Sequence, residues 1–263
     1  MTDLKVRHEG ATMVITFNRP EVLNAFRDQT YRELVTALEE AADDPAVRVV
    51  VLTGTGRAFS AGTDLKELAG HLGEESELLK ERTKALQELT MLLTEHPKVI
   101  ICAVNGLSVG IGVELALASD IRIAGESATF ALKEVHRGFF PSNGVLYFLP
   151  RLVGHGRAVD LLLTGERIDA AQAYATGLVS RLVPDAELPG ITLALAEQVA
   201  AAAPTPVRLI KQAMTQVWEL DLPEVLAVEI EGLLACLNSA DMIEGVNAFA
   251  QKRAATFQGS LTA

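Results

Sequence analysis

An α/β fold with a mostly helical C-terminal region is what this 263-residue sequence predicts, and three observations carry that expectation. Short β-rich segments alternate with helical ones through the first half of the chain, the succession that gives parallel strands joined by crossovers. One of those segments, Val99-Ile100-Ile101-Cys102-Ala103-Val104, is apolar throughout, as a strand covered on both faces must be. Beyond residue 146 the helical period takes over almost completely.

Each element follows from its residues. T-M-V-I-T-F at 12–17 is a strand bounded by Gly10 and by the turn Asn18-Arg19-Pro20. Over 28–42 apolar residues fall at Tyr31, Leu34, Val35, Leu38 and Ala41, a helical spacing with Asp28 as N-cap and Asp43-Asp44-Pro45 as the stop. A strand at 47–53 runs into Gly54-Thr55-Gly56, and residues 58–64 form a loop of mostly small residues. A long amphipathic helix beginning at Glu75 ends before Pro97. After the strand at 99–104 comes a glycine-punctuated turn over 105–112, a helix at 113–119, and extended pieces at 121–124 and 129–132. Helices are expected at 146–153, 157–163, 170–176, 191–202, 206–218, 224–237 and 241–257, with only 178–183 extended between them. The break at Ala201-Ala202-Ala203-Pro204-Thr205-Pro206 divides a unit 1–200 from a C-terminal region 201–263.

Composition narrows the function classes. With 49% apolar and 22% charged residues the chain is an ordinary globular one. A net charge of -11 repels phosphate backbones and anionic lipid, which excludes broad nucleic-acid and membrane surfaces. It does not exclude a phosphorylated ligand held by a few local cations and backbone amides. The two cysteines, Cys102 and Cys236, form neither a disulfide framework nor a zinc spacing. The start Met1-Thr2-Asp3-Leu4-Lys5 has no signal-peptide core, so a cytoplasmic location is expected. The histidines His8, His71, His96, His136 and His155 show no metal spacing, and no metal is expected.

Two carboxylates and two glycine turns are the candidates for chemistry. Glu114 lies in the first turn of a helix, where the helix dipole favours a carboxylate whatever its role. Glu134 by itself is one charge in a mixed loop. The extended pieces between them let the chain return Glu134 to the neighbourhood of Glu114, near strand ends where ligands gather in α/β sheets. Gly62-Thr63-Asp64 and Gly110-Ile111-Gly112 each follow a strand end and open a helix. Such turns either serve only to reverse the chain or expose amides that converge on an anion. No dinucleotide fingerprint, phosphate loop, G-x-S-x-G elbow or H-E-x-x-H occurs.

The residues at this point resemble the crotonase, or enoyl-CoA hydratase/isomerase, superfamily. The matching text is N-R-P-E-V-L-N-A-F (18–26), V-L-T-G-T-G-R-A-F-S-A-G-T-D-L (51–65) and V-N-G-L-S-V-G-I-G-V-E-L-A-L-A-S-D-I-R-I-A (104–124). It continues with E-V-H-R-G-F-F-P (134–141), L-P-R-L-V-G (149–154) and E-G-V-N-A-F-A-Q-K-R (244–253), in family order. The resemblance implies a crotonase-like ββα spiral followed by helices that trimerise, as a homotrimer or a hexamer of two trimers. It implies an acyl-CoA thioester whose carbonyl oxygen sits between the N–H groups of Thr63 and Ile111. Glu114 and Glu134 match the glutamates that carry water addition, as base and acid respectively. Coenzyme A, part of the substrate and not a separate cofactor, is then expected near Val22, Ala25, Arg27, Ala61, Asp64 and Leu65. Phe249 and Lys252 match positions that reach it, often from a neighbouring subunit.

The chain also departs from the family pattern. Ile111 stands where many hydratases have glycine, though its N–H can still donate. Ser142-Asn143-Gly144-Val145 replaces a glycine-rich stretch after Pro141 in which isomerases tend to place an acid. Asn143 can hydrogen-bond a substrate group but cannot take a proton. His136, Pro141 and Asn143 are expected to line the acyl pocket. The expected activity is hydration of a 2-enoyl-CoA or the reverse dehydration. The alternatives are another reaction of the family, such as isomerisation or C–C bond chemistry, and non-catalytic acyl-CoA binding.

Overall fold

The computed structural model describes residues 2–71, 73, 76–237 and 239–259. The chain opens with β1 (Leu4–Glu9) and β2 (Thr12–Phe17), then α1 (Asp28–Asp43), β3 (Val49–Gly54), β4 (Ala58–Ser60), α2 (Leu65–Ala69) and α3 (Ser76–Glu95). Next come β5 (Val99–Val104), β6 (Leu107–Val109), α4 (Ile111–Ala118), β7 (Ile121–Gly125) and β8 (Thr129–Ala131). The remainder is α5 (Val145–Val153), α6 (His155–Thr164), β9 (Arg167–Asp169), α7 (Ala170–Ala175), β10 (Arg181–Val183), α8 (Leu188–Ala200), α9 (Pro204–Gln216), α10 (Leu222–Leu237) and α11 (Ala240–Ala250).

Two sheets organise these elements. The larger has the order β1-β2-β3-β5-β7-β10, the smaller β4-β6-β8-β9. Strand pairs β3–β4, β5–β6 and β7–β8 each give one strand to each sheet, and helices intervene between successive pairs. That is the expected ββα spiral. Pairing is parallel except at the two ends, β1–β2 and β8–β9. Alternation in β3 and β5 explains their apolar runs. Val50, Leu52, Ile100 and Cys102 face the main core, while Val49, Val51, Ile101 and Ala103 face the layer that α8 covers. Both faces are buried, as a mainly parallel sheet requires.

The structure corrects several expectations. β1 was not anticipated; apart from Leu4 its residues are exposed, as on an edge strand, so it carries no two-sided pattern to read. Arg27, not Asp28, caps α1: Arg27 has extended backbone and its N–H donates to Thr30 Oγ1 at 3.3 Å, while Asp28 sits in the first turn. The helix carrying Glu114 begins at Ile111, because Gly110 at φ 53° turns the chain directly into it. α11 ends at Ala250, not 257; Lys252 at φ 53° reverses the chain and Arg253 folds back to both oxygens of Glu244. The expected start of the long helix at Glu75, and Met1, lie outside the described residues.

A buried lysine ties α9 to the spiral. Lys211 Nζ on α9 reaches Asp120 Oδ2 at 2.8 Å, Lys98 O at 3.0 Å and Leu93 O at 3.3 Å, tying α9 to the edge of the spiral. On α10 and α11, Leu226, Ile230, Leu233, Val246 and Phe249 are exposed. Among the described residues no helix is long and apolar enough to cross a membrane.

Candidate active site

The site forms where the two glycine turns meet. Phe26 holds the first turn from both sides, its N–H donating to Gly62 O and its carbonyl accepting from Asp64 N, each at 2.8 Å. Thr63 is pinned between these bonds. The second turn lies against it: a side chain on Gly62 would sit 3.0 Å from Val109 O, so only glycine lets the two turns approach this closely. Among the described residues no acceptor is recorded for the N–H of Thr63 or of Ile111. Ile111 opens α4, so its amide also carries the positive end of the helix dipole.

Glu114 and Glu134 are brought to this junction. Glu114, one turn into α4, is only 4% exposed. Glu134 begins a 3₁₀ turn (Glu134–Arg137), and its Oε1 lies 3.0 Å from where a Cβ on Gly110 would be. Its Oε2 is buried and has no partner among the described residues. Burial pushes the Glu114 carboxyl up to about 7; Asn143 donating to it opposes that shift, the charge of Glu134 adds to it, and the Ser142 backbone opposes it. Burial also raises the Glu134 carboxyl, against its own backbone and Arg137. Two adjacent carboxyls, both reluctant to ionise, beside two unsatisfied amides can shuttle one proton while an oxyanion forms.

Other anticipated residues divide into those gathered here and those elsewhere. Asn143 belongs to the cluster: it is 5% exposed and its Nδ2 donates to Glu114 Oε2 at 2.6 Å. Pro141 stands two residues before it, half-buried. Val22, Ala25, Ala61, Asp64 and Leu65 share one neighbourhood, joined by Ala61 N to Leu23 O at 2.8 Å, Arg19 Nη1 to Ala25 O at 2.6 Å and Arg19 Nη2 to Asp64 Oδ2 at 3.1 Å. Arg27 adjoins it, but its guanidinium is committed to Asp3, at 2.7 and 2.8 Å. The structure does not bring His136 into the cluster; its Nε2 lies 2.7 Å from Thr164 O and its ring packs against Gly165. Phe249 is 88% exposed near the end of α11, and among the described residues no hydrogen bond or ion pair joins Phe249 or Lys252 to residues 22–27 or 61–65.

Tyr31 went unrecognised in the sequence because it falls on the apolar stripe of α1. Its phenol is buried near Thr63 and is held protonated first by burial, then by the charge of Glu114, with a hydrogen bond to Thr63 opposing. Phe26, Tyr31 and Thr63 line one end of a cavity of about 490 Å³, and Leu86 on α3 lines it too.

Comparison with known proteins identifies the family. Residues 7–260 match the family described as enoyl-CoA hydratase/isomerase. A 2,3-dehydroadipyl-CoA hydratase of Escherichia coli is 37% identical, over 98% of this chain and 100% of its own. A 1,2-epoxyphenylacetyl-CoA isomerase of the same organism is 36% identical, over 95% and 96%. The crystal structure of an enoyl-CoA hydratase from Bacillus anthracis superposes with a TM-score of 0.92 at 34% identity, over 98% of this chain and 100% of that one. The chain belongs to the enoyl-CoA hydratase/isomerase family and has the crotonase fold.

Proposed function

We propose that this enzyme adds water across the double bond of a 2-enoyl-CoA thioester, and catalyses the reverse dehydration. The observation that carries the reading is the pair Glu114, buried, and Glu134, half-buried with a buried Oε2, both raised, at the junction where the Thr63 and Ile111 amides have no acceptor among the described residues. The thioester oxygen lies between those amides. Glu114 takes a proton from water as its oxygen bonds to the β-carbon, and the π electrons move toward the thioester to give an enolate. The two amides stabilise that oxyanion; one such donor is worth roughly 3 kcal/mol in a well-studied protease. Glu134 then delivers its proton to the α-carbon, and no separate cofactor or metal takes part. The names of the hydratase relatives support the same reaction.

Coenzyme A lies along Val22, Ala25, Ala61, Asp64 and Leu65, which line a single loop cluster. Arg27 contributes through its backbone, since its side chain is held by Asp3. The unit 201–263 serves assembly: its exposed leucines, isoleucines and Phe249 fit a homotrimer or a hexamer, in which Phe249 and Lys252 reach a neighbour's ligand. A cytoplasmic location suits a protein acting on CoA thioesters. The test is loss of enoyl absorbance when purified protein meets crotonyl-CoA and longer 2-enoyl-CoA thioesters. Turnover that Glu114→Gln and Glu134→Gln each abolish is the expected result; no turnover across the whole chain-length series overturns the reading.

A further inference from the structure

Beside the two glutamates stands a third polar group that the reaction outlined above does not use. Asn143 is 5% exposed, and its backbone is left-handed, φ 49°, a conformation asparagine tolerates better than most residues. The carboxamide is held by one hydrogen bond, from Nδ2 to Glu114 Oε2 at 2.6 Å. Its other head, Oδ1, is buried and has no partner among the described residues. With Glu114 ionised, as the base of the reaction above must be, the reverse amide orientation would set Oδ1 against it, acceptor on acceptor, so in that state Oδ1 is the free head. Because a carboxamide is planar, the free oxygen lies next to the Glu114 carboxylate. A buried acceptor without a protein donor is completed by water or by a ligand group. The reacting carbons of a 2-enoyl thioester carry no hydrogen-bond donor; apart from the Glu134 proton, which goes to the α-carbon, the donors of the reaction are the water that attacks and the β-hydroxyl it becomes.

We infer that Asn143 is a catalytic residue with two duties: its nitrogen aims Glu114, and its oxygen accepts the hydrogen that stays on the β-oxygen. This rests on the hydratase reading and deepens it. The water's two hydrogens then have separate destinations. One passes to Glu114 as the C–O bond forms; the other stays on oxygen, hydrogen-bonded to Asn143 Oδ1 before and after attack. The lone pair facing the β-carbon is thereby oriented, and the site favours thioesters bearing a β-hydroxyl over those without one. Ser142 still presents its backbone to Glu114 when Asn143 is altered, so the carboxyl keeps one donor and the fold keeps its turn.

The test compares binding of 3-hydroxybutyryl-CoA and butyryl-CoA, in a Glu134→Gln background that lacks the acid and leaves the hydroxyacyl ligand unconverted. Asn143→Gly suits the left-handed backbone. It should cut the preference for the hydroxylated ligand about tenfold, the value of one hydrogen bond in a buried site, while affinity for butyryl-CoA changes little. Asn143→Asp sets a second carboxyl against Glu114, so the two share one proton and Glu114 is a poorer base, while the outer oxygen is still an acceptor; it should retain most of the preference, and in the otherwise native enzyme lower kcat with little change in KM. A purely structural role weakens both ligands by the same factor, and an unchanged ratio in Asn143→Gly overturns the inference. So does an Asp variant that loses the preference as fully as the Gly variant. Because the ratio is read from binding, it stands apart from the absorbance test of hydration: failure of turnover with an Asn143-dependent ratio refutes the reaction, not the contact.

Discussion

Replacing Glu114 by glutamine should stabilise the enzyme at alkaline pH while abolishing its activity. In the folded protein the carboxyl is moved from its ordinary 4.5 to about 7, chiefly by burial. Below pH 4.5 both folded and unfolded states hold the proton and the group contributes nothing. Between 4.5 and about 7 the unfolded chain ionises freely while the folded one resists, so the native state loses ground as pH rises. Above that range the penalty is complete. A gap of that width, at about 1.4 kcal/mol per pH unit, amounts to roughly 3 kcal/mol. The residue is only 4% exposed, so solvent screening takes little from this figure. Glutamine is isosteric, has no charge to bury and still offers an oxygen to Asn143 Nδ2. Urea unfolding at fixed protein concentration, since association also stabilises, should show Glu114→Gln more stable than the wild type by roughly 3 kcal/mol at pH 8. The advantage should vanish near pH 4. In thermal melts the alkaline difference is about 6–12 °C for a chain of this size. A difference that does not change with pH, or a variant less stable at pH 8, refutes the argument that burial of this carboxylate is costly.

Three further outcomes follow from other parts of the structure. Lys211→Ala leaves the Leu93 and Lys98 carbonyls without their donor, while the exposed Asp120 turns to water, and should cost about 1–3 kcal/mol in denaturant unfolding, the usual result of orphaning buried acceptors. Gly110→Ala should lower both turnover and Tm: its Cβ would stand 3.0 Å from Glu134 Oε1 and displace that carboxyl, abolishing turnover, and the positive φ of 53° should cost about 1–3 kcal/mol in unfolding; full turnover or an unchanged Tm would contradict this. Asp3 is held below its ordinary 3.8: burial pushes it up, but hydrogen bonds from Arg27 and Thr30 and the charges of Arg27 and Arg19 together outweigh that. Its contribution is complete above pH 3.8 and fades as pH falls through the lowered value, so Asp3→Asn should destabilise at neutral pH and approach the wild type in strong acid, as melts across that range would read.

The sequence was most legible where burial is two-sided. The run 99–104 could only be a covered strand, and 12–17 matches β2 residue for residue. It was least legible where an element is exposed or where a distant partner sets the geometry. β1 shows no alternation because only Leu4 is buried, and β4, β6 and β9 are three residues each, too short to show a period. The end of α11 is set by Arg253 returning to Glu244, a contact that no local pattern encodes. At the site, Glu114 and Glu134 were suspected because the chain between them could bring them together. Tyr31 was hidden because its ring satisfies the helical stripe while only its hydroxyl faces Thr63. The link from Asn143 to Glu114 spans 29 residues, and nothing in the residues alone distinguishes it from a substrate contact.

The charged residues around the first glycine turn follow from the demands of the second. A buried and a half-buried carboxyl beside two amides with no acceptor among the described residues are each unfavourable, so the junction persists only if its walls cannot relax. Phe26 supplies two backbone bonds to the Thr63 turn, and Arg19 bonds both Ala25 O and Asp64 Oδ2 on either side of it. Asp3, 3% exposed, receives Arg27 at two oxygens and Thr30 at 2.6 Å, fixing the start of α1 and with it Tyr31. An N-terminal residue thereby holds the wall beside Thr63. Rigidity is purchased here with ion pairs in a half-buried setting, where geometry is well defined and water screens less than at an open surface. That arrangement fixes the backbone on both sides of Thr63, which is itself exposed, against the buried Ile111 that opens α4; fixed donors stabilise a developing charge better than mobile ones.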